Sequence, residues 1–227
     1  MALASDQLDL AEQLGQRWPN RVYRYLLVLR FGLVNIVATG LAVAVYLQGW
    51  LNDALVGYTW RLSLGIFFVF LFGMVLCAVK IWRTSAELND VRAGEPRPKS
   101  RAGKYLAIIK QRGADSRALS ANLLRLRLNN YISDVRYIAN ILVFLGLIGT
   151  VIGFIVALSG VNPESSSSVE NIAPMVATLI NGMSIALYTT LLGAVLHVWL
   201  MVNHRILASG TMHLYNGIVE LGERVGE

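Results

Sequence analysis

Residues 137–158 read YIANILVFLGLIGTVIGFIVAL, and residues 172–202 read IAPMVATLINGMSIALYTTLLGAVLHVWLMV. Neither stretch contains Asp, Glu, Lys or Arg, and each reaches the roughly 20 residues that a membrane-spanning helix needs. Both carry hydroxyls, at Thr150, Thr189 and Thr190, set among glycines and alanines. A lipid-facing surface has no use for small and hydroxylated residues, whereas close helix packing and water-lined pathways do. The polar business of this chain therefore belongs inside a helix bundle.

Two further apolar runs, Tyr25–Tyr46 and Leu62–Ile81, bring the total to four. They explain a composition of 55% hydrophobic and 15% charged residues over 227 positions, far more apolar than a soluble domain. The fold expected is an all-α integral membrane protein with four transmembrane helices. Trp50, Trp60, Trp82 and Trp199, with Tyr46, Tyr58 and Tyr137, fall near the run ends as an aromatic belt would.

The net charge of +6 is unevenly placed. Residues 82–136 hold twelve Lys/Arg against five Asp/Glu, while the loop 159–171 holds Glu164 and Glu170 and no base. Arg17, Arg21 and Arg24 precede the first run. Positive residues mark the cytoplasmic side, so both termini and the large basic loop are predicted inside a bacterial inner membrane. Nucleic acid is not needed to explain the charge. The first run is too long, and too far from the start, for a cleavable signal peptide.

The organisation read from this pattern has five parts. Residues 1–24 form an amino-terminal arm, with an amphipathic helix over 5–17 lying at the inner interface. Residues 25–81 are a first hairpin, with spans at about 25–46 and 62–81. A basic loop and helix fill 82–136, and 137–202 is a second hairpin with spans at about 137–158 and 172–202. A tail covers 203–227. Arg30 and Lys80 are expected to snorkel to the inner headgroups, and Arg92–Gly103 to be an irregular linker. Ser116 or Ser120 caps a helix that runs without Pro or Gly into the third span, and Asn171 caps the fourth, with Pro174 in its first turn.

Chemistry is constrained first by what is missing. No Asp or Glu lies in any span, there is no phosphate-binding Gly loop, no His/Cys cluster at metal spacing and no Ser/His/Asp arrangement. No enzyme, cofactor or metal is expected. Cys77 reads as a packing residue. In the fourth span, Gly182, Ala186, Thr190, Gly193 and His197 step by three and four and share one face. Gly146, Gly149, Thr150 and Gly153 make a similar face in the third. Such faces serve tight packing or a narrow polar conduit.

The stretch Gly146-Leu-Ile-Gly-Thr-Val-Ile-Gly153 resembles the Gly-Leu-x-Gly-Thr-Val-x-Gly signature of the MotA/TolQ/ExbB family of ion-driven motor subunits. Ala186-Leu-Tyr-Thr-Thr-Leu-Leu-Gly193 is similar to that family's second signature, Ala-Leu-x-x-Thr-x-x-Gly. The resemblance covers residues 137–205 and, in layout only, the rest. It implies a homo-pentameric ring around two copies of a single-span partner of the MotB/TolR/ExbD kind, whose membrane Asp carries the ion. Protons are the first choice of ion and sodium the second.

On this reading Thr150, Thr190, Thr189, Gly153, Ala186 and Gly193 line the ion pathway, and Gly146, Gly149 and Gly182 pack helices. His197 is a candidate inner-side proton relay, and Arg112, Arg117, Arg125 and Arg127 are candidate contacts for a cytoplasmic partner. Ile185 stands where uptake-energising members carry a glutamate, and four spans match the flagellar-stator branch rather than the three usual in those members. The competing reading is a non-conducting tetraspan scaffold.

Overall fold

A computed structural model describes residues 26–48, 59–93, 96–98, 100–112, 117–161 and 169–225. The amino-terminal arm, with its expected helix over 5–17, lies outside the described residues. Five helices follow in order: α1 Leu26–Leu47, α2 Thr59–Arg92, α3 Arg101–Arg112, α4 Arg117–Ser159 and α5 Val169–Val225. Among the described residues there is no strand. Of the five helices, α1, α2, α4 and α5 are long and apolar enough to cross a membrane.

Length is what separates α4 and α5 from ordinary spans. Their 43 and 57 residues extend about 64 Å and 86 Å at 1.5 Å per residue, against about 30 Å of hydrocarbon. Each must run well beyond the membrane. Two buried clusters mark the two environments. The first joins Ile66, Phe70, Cys77 and Ile81 of α2 to Val135, Ile138 and Leu142 of α4 and to Leu196, Leu200 and Leu207 of α5. The second joins Val91 of α2, Ala102, Tyr105 and Ile109 of α3, Leu124 and Leu128 of α4, and Leu214 and Ile218 of α5. Between them lies a tier of charge, with Lys80 bound to Asp134 and Arg30, Arg136 and Arg205 at similar depth.

Several sequence expectations change here. Lys80 does not snorkel. It is buried, donates to the Tyr131 carbonyl, pairs with Asp134 Oδ2 at 2.6 Å and lies 4.5 Å from the Tyr131 ring centroid. Its partners on α4 hold it inside the bundle. Trp199 is not a free belt residue, because its indole N–H donates to Asn35 Oδ1 at 2.9 Å inside the bundle. The linker is shorter than Arg92–Gly103, since α2 continues to Arg92 and Arg101 already begins α3. Ser100 caps α3, its Oγ accepting from the Gly103 N–H at 3.0 Å.

The helix α3 itself was not anticipated. Its buried Ala102, Tyr105 and Ile109 recur at three and four residues, a short amphipathic signal hidden among bases. Ser120 is inside α4 rather than a cap, while Ser116 lies outside the described residues. The fourth long helix begins at Val169, so Asn171 is its third residue and Pro174 its sixth. A proline that early forfeits at most one backbone hydrogen bond.

Candidate functional site: the seam between the two long helices

The small face of α5 meets α4 along its whole length. Going down the bundle, Gly160 faces Thr178, Ala157 faces Gly182, Gly153 faces Ala186, and Gly149 faces Thr189. Gly146 then faces Thr190 and Gly193, and His197 Nδ1 lies 2.7 Å from the Ala139 carbonyl oxygen. From residue 139 to 160 this seam is about 32 Å long. The absence of side chains is what lets the backbones touch. A Cβ placed on Gly153 would lie 2.5 Å from the Ala186 nitrogen, and one on Gly193 2.7 Å from the Leu142 oxygen. Any larger residue would force the helices apart.

The threonines divide by position. Thr189 is fully buried in the notch left by Gly149, and its hydroxyl is satisfied within its own helix by Ile185 O at 3.0 Å and Ala186 O at 3.1 Å. Thr190, the next residue, is turned about 100° around the helix and lies at the rim of the seam, exposed. Its Oγ1 donates across to Gly146 O at 3.2 Å. Thr150 is half-exposed, and its Oγ1 donates to Leu147 O one turn below. Both rim hydroxyls thus have their proton engaged and their oxygen lone pairs open. They can accept from water or a hydrated cation as they stand. To donate to a carboxylate, each must first leave its carbonyl.

Depth matters as much as direction. Thr150 is sixteen residues above Asp134 on the same helix, about 24 Å from the charged tier. That is deep in the hydrocarbon, where an unpaired polar group is costly. Of the other sites, Gly153, Ala186 and Gly193 lie in the seam beside Gly146, Gly149 and Gly182. His197 is half-buried at its lower end, and Arg125 is exposed on α4. The side chains of Arg112 and Arg117 lie outside what is described.

Sequence reading missed a second polar group in the bundle. Asn203 on α5 is fully buried. It accepts from Asn35 Nδ2 at 2.8 Å and donates to Trp199 O at 2.9 Å. The signal was present, as Asn35 inside the first apolar run and Asn203 just past the end of the fourth, but only the partner's position shows that they meet.

These features define a multi-pass helical membrane protein built on a close-packed pair of long helices with hydroxyls at the rim of their seam. Comparison with known proteins gives one family-level similarity. Residues 110–218, just under half of the chain, match the model of the MotA/TolQ/ExbB proton channel family. The match takes in the whole seam and leaves out α1 and α2. No individual characterised protein and no solved structure matches the chain.

Proposed function

We propose that this chain is the ring-forming subunit of an ion channel and motor complex, moving protons in preference to sodium. Its partner would be a single-span subunit that brings a membrane Asp. The observation that carries this reading is the pair of rim hydroxyls, Thr150 and Thr190, held deep in a bundle whose own spans hold no carboxylate. The match of residues 110–218 to the model of a proton channel family supports it.

In this scheme Thr150 and Thr190 line the ion pathway. Their lone pairs accept from the hydrated ion as it arrives. When the partner's Asp is charged, their protons swing from the carbonyls to the carboxylate and lower the cost of its charge in hydrocarbon. Thr189, Gly153, Ala186 and Gly193 make the wall behind them, and His197 passes protons at the basic end. That end is cytoplasmic by the positive-inside rule. Five copies form the ring in the bacterial inner membrane. The gradient offers about 2.3 kcal/mol per charge per 100 mV, enough to drive conformational stepping.

The test is to co-express the chain with its candidate partner and measure proton entry into inverted vesicles. Flux that falls with the partner's Asp→Asn and with Thr190→Val supports the channel. Flux indifferent to both would leave the scaffold reading in its place.

A further inference from the structure

The polar contacts that α5 makes with the α4 backbone follow a repeat. Thr190 donates to the Gly146 carbonyl at 3.2 Å. His197, seven residues below Thr190, has its Nδ1 2.7 Å from the oxygen of Ala139, seven residues below Gly146. A further seven residues down each helix, the ring of His204 lies against the Ile132 backbone. Seven residues turn a helix to within about 20° of two full turns. The three side chains therefore stand one above another, about 10.5 Å apart, and descend about 21 Å from the deep hydroxyl to the charged tier.

They occupy the edge of the seam that carries both rim threonines. Thr190 is exposed and the two rings are half-buried. On α4, Thr150 and Arg136 are fourteen residues apart and share a face to within about 40°, and the Arg136 charge acts on the His204 ring. Asp134, about 200° around the helix from Arg136, is on the other edge, bound to Lys80 of α2. The file thus runs down the side of the seam away from α2.

The chemistry of the lower two positions suits a proton carrier. A carbonyl only accepts, so Nδ1 of His197 holds the ring hydrogen and Nε2 keeps its lone pair. Nε2 can bond a proton taken from hydronium, leaving water, and give it up to the next water below, while the Nδ1 contact holds the ring in place. The gap to the next ring is one that about two or three waters bridge at hydrogen-bond spacing. His204 lies just past the fourth apolar run. Burial, and then the Arg136 charge, hold its proton affinity below the ordinary histidine range, against the pull of the Ile132 backbone. Arg30 and Arg205 add positive charge at similar depth. A ring that holds its proton weakly hands it readily to water.

We propose that His204 is the last proton carrier of the channel, taking protons from His197 through water and releasing them at the inner surface. Thr190, His197 and His204 are then one file from the partner's Asp to the cytoplasm. This rests on the channel reading above and adds to it the exit residue and the edge along which protons leave.

The test uses the full chain co-expressed with its partner, in acid-loaded inverted vesicles whose outer face is the cytoplasmic one, and measures proton release. His204→Gln keeps a polar side chain of similar reach but exchanges no proton. Its flux is expected to fall about tenfold or more, less than a general acid–base group contributes in a transition state because water bypasses a single missing ring. His204→Ala should fall likewise, and recover when a histidine-containing dipeptide that membranes exclude is added to the outer medium. Flux that needs the partner's Asp but is equal in wild type and His204→Gln overturns the relay alone. A loss in His204→Ala that the dipeptide does not restore gives His204 a structural part and overturns the relay as well. Absence of wild-type flux, or flux indifferent to the partner's Asp→Asn, removes the channel reading and this proposal together.

Discussion

The Thr190 hydroxyl donates to the carbonyl of Gly146 across the seam at 3.2 Å. That carbonyl also serves the helix's own N–H four residues on, at Thr150. One backbone oxygen therefore couples the two rim threonines. The bond is long, and the donor sits at an exposed edge, so it can be exchanged at little cost for a better acceptor.

The hydroxyl, more than the shape of residue 190, is what the proposed channel needs. Thr190→Val keeps the volume and removes the donor. It is expected to cut proton flux in the co-expressed complex about tenfold or more, equivalent to a loss of about 1.4 kcal/mol in the barrier. Thr190→Ser restores a hydroxyl and should recover most of the flux. Fluorescence of a pH-sensitive dye in inverted vesicles reads both. Equal flux from the Val and Ser variants would remove Thr190 from the pathway.

The seam makes a sharp contrast between glycines. A methyl on Gly149 would run into the Thr189 side chain, whereas one on Gly40 in α1 meets nothing within 4 Å. Gly149→Ala is expected to destabilise by about 1–3 kcal/mol through overpacking. Gly40→Ala should be neutral or slightly stabilising, since Ala favours helix over Gly. Thermal unfolding in detergent compares them directly, and a Gly149→Ala protein as stable as wild type would mean the helices are not in contact there.

How far the sequence revealed this architecture depends on the kind of signal. The four spans and the α4–α5 face were legible because hydropathy and three- and four-residue steps are local properties. Gly182, Ala186, Thr190, Gly193 and His197 share one face on paper, and that face is the one against α4. What could not be read was which helix a residue would meet. Lys80 looks like a snorkelling base until Asp134, 54 positions away, is placed beside it. Asn35 and Asn203 are separated by 168 positions and look like isolated polar residues. Thr189 and Thr190 are identical in the sequence and differ only in phase around the helix. α3 was hidden because its twelve residues carry four bases, which masks a short apolar stripe.

The polar clasp between α1 and α5 should be measurable as a coupling. Asn35 and Asn203 exchange two hydrogen bonds, at 2.8 Å and 3.3 Å. A double-mutant cycle with Asn35→Ala and Asn203→Ala is expected to give an interaction of about 0.6–1.7 kcal/mol, between the average and the largest value found for bonds between membrane helices. The single Asn203→Ala should cost more than Asn35→Ala, because Asn203 is fully buried and also bonds the Trp199 carbonyl. Unfolding titrations in mixed micelles supply the four free energies. A coupling indistinguishable from zero would show that the two amides do not meet in solution.

The ion pair at the charged tier should break asymmetrically. The Lys80 side chain is only 10% exposed, while that of Asp134 is 65% exposed. Removing the base with Lys80→Met leaves an aspartate that water can solvate, and puts an apolar side chain of similar length among apolar neighbours. The cost should be small, about 1 kcal/mol or less, as for a pair with one exposed member. Asp134→Ala instead leaves a cation in a place water reaches poorly, with the Tyr131 carbonyl and ring as its remaining partners. That loss should be the larger, about 1–3 kcal/mol after allowance for those partners. Lys80→Met added to Asp134→Ala removes the stranded charge and should return part of the lost stability. Thermal unfolding of the three variants settles the order, and a Lys80→Met protein less stable than Asp134→Ala would mean that Lys80 reaches the headgroups after all.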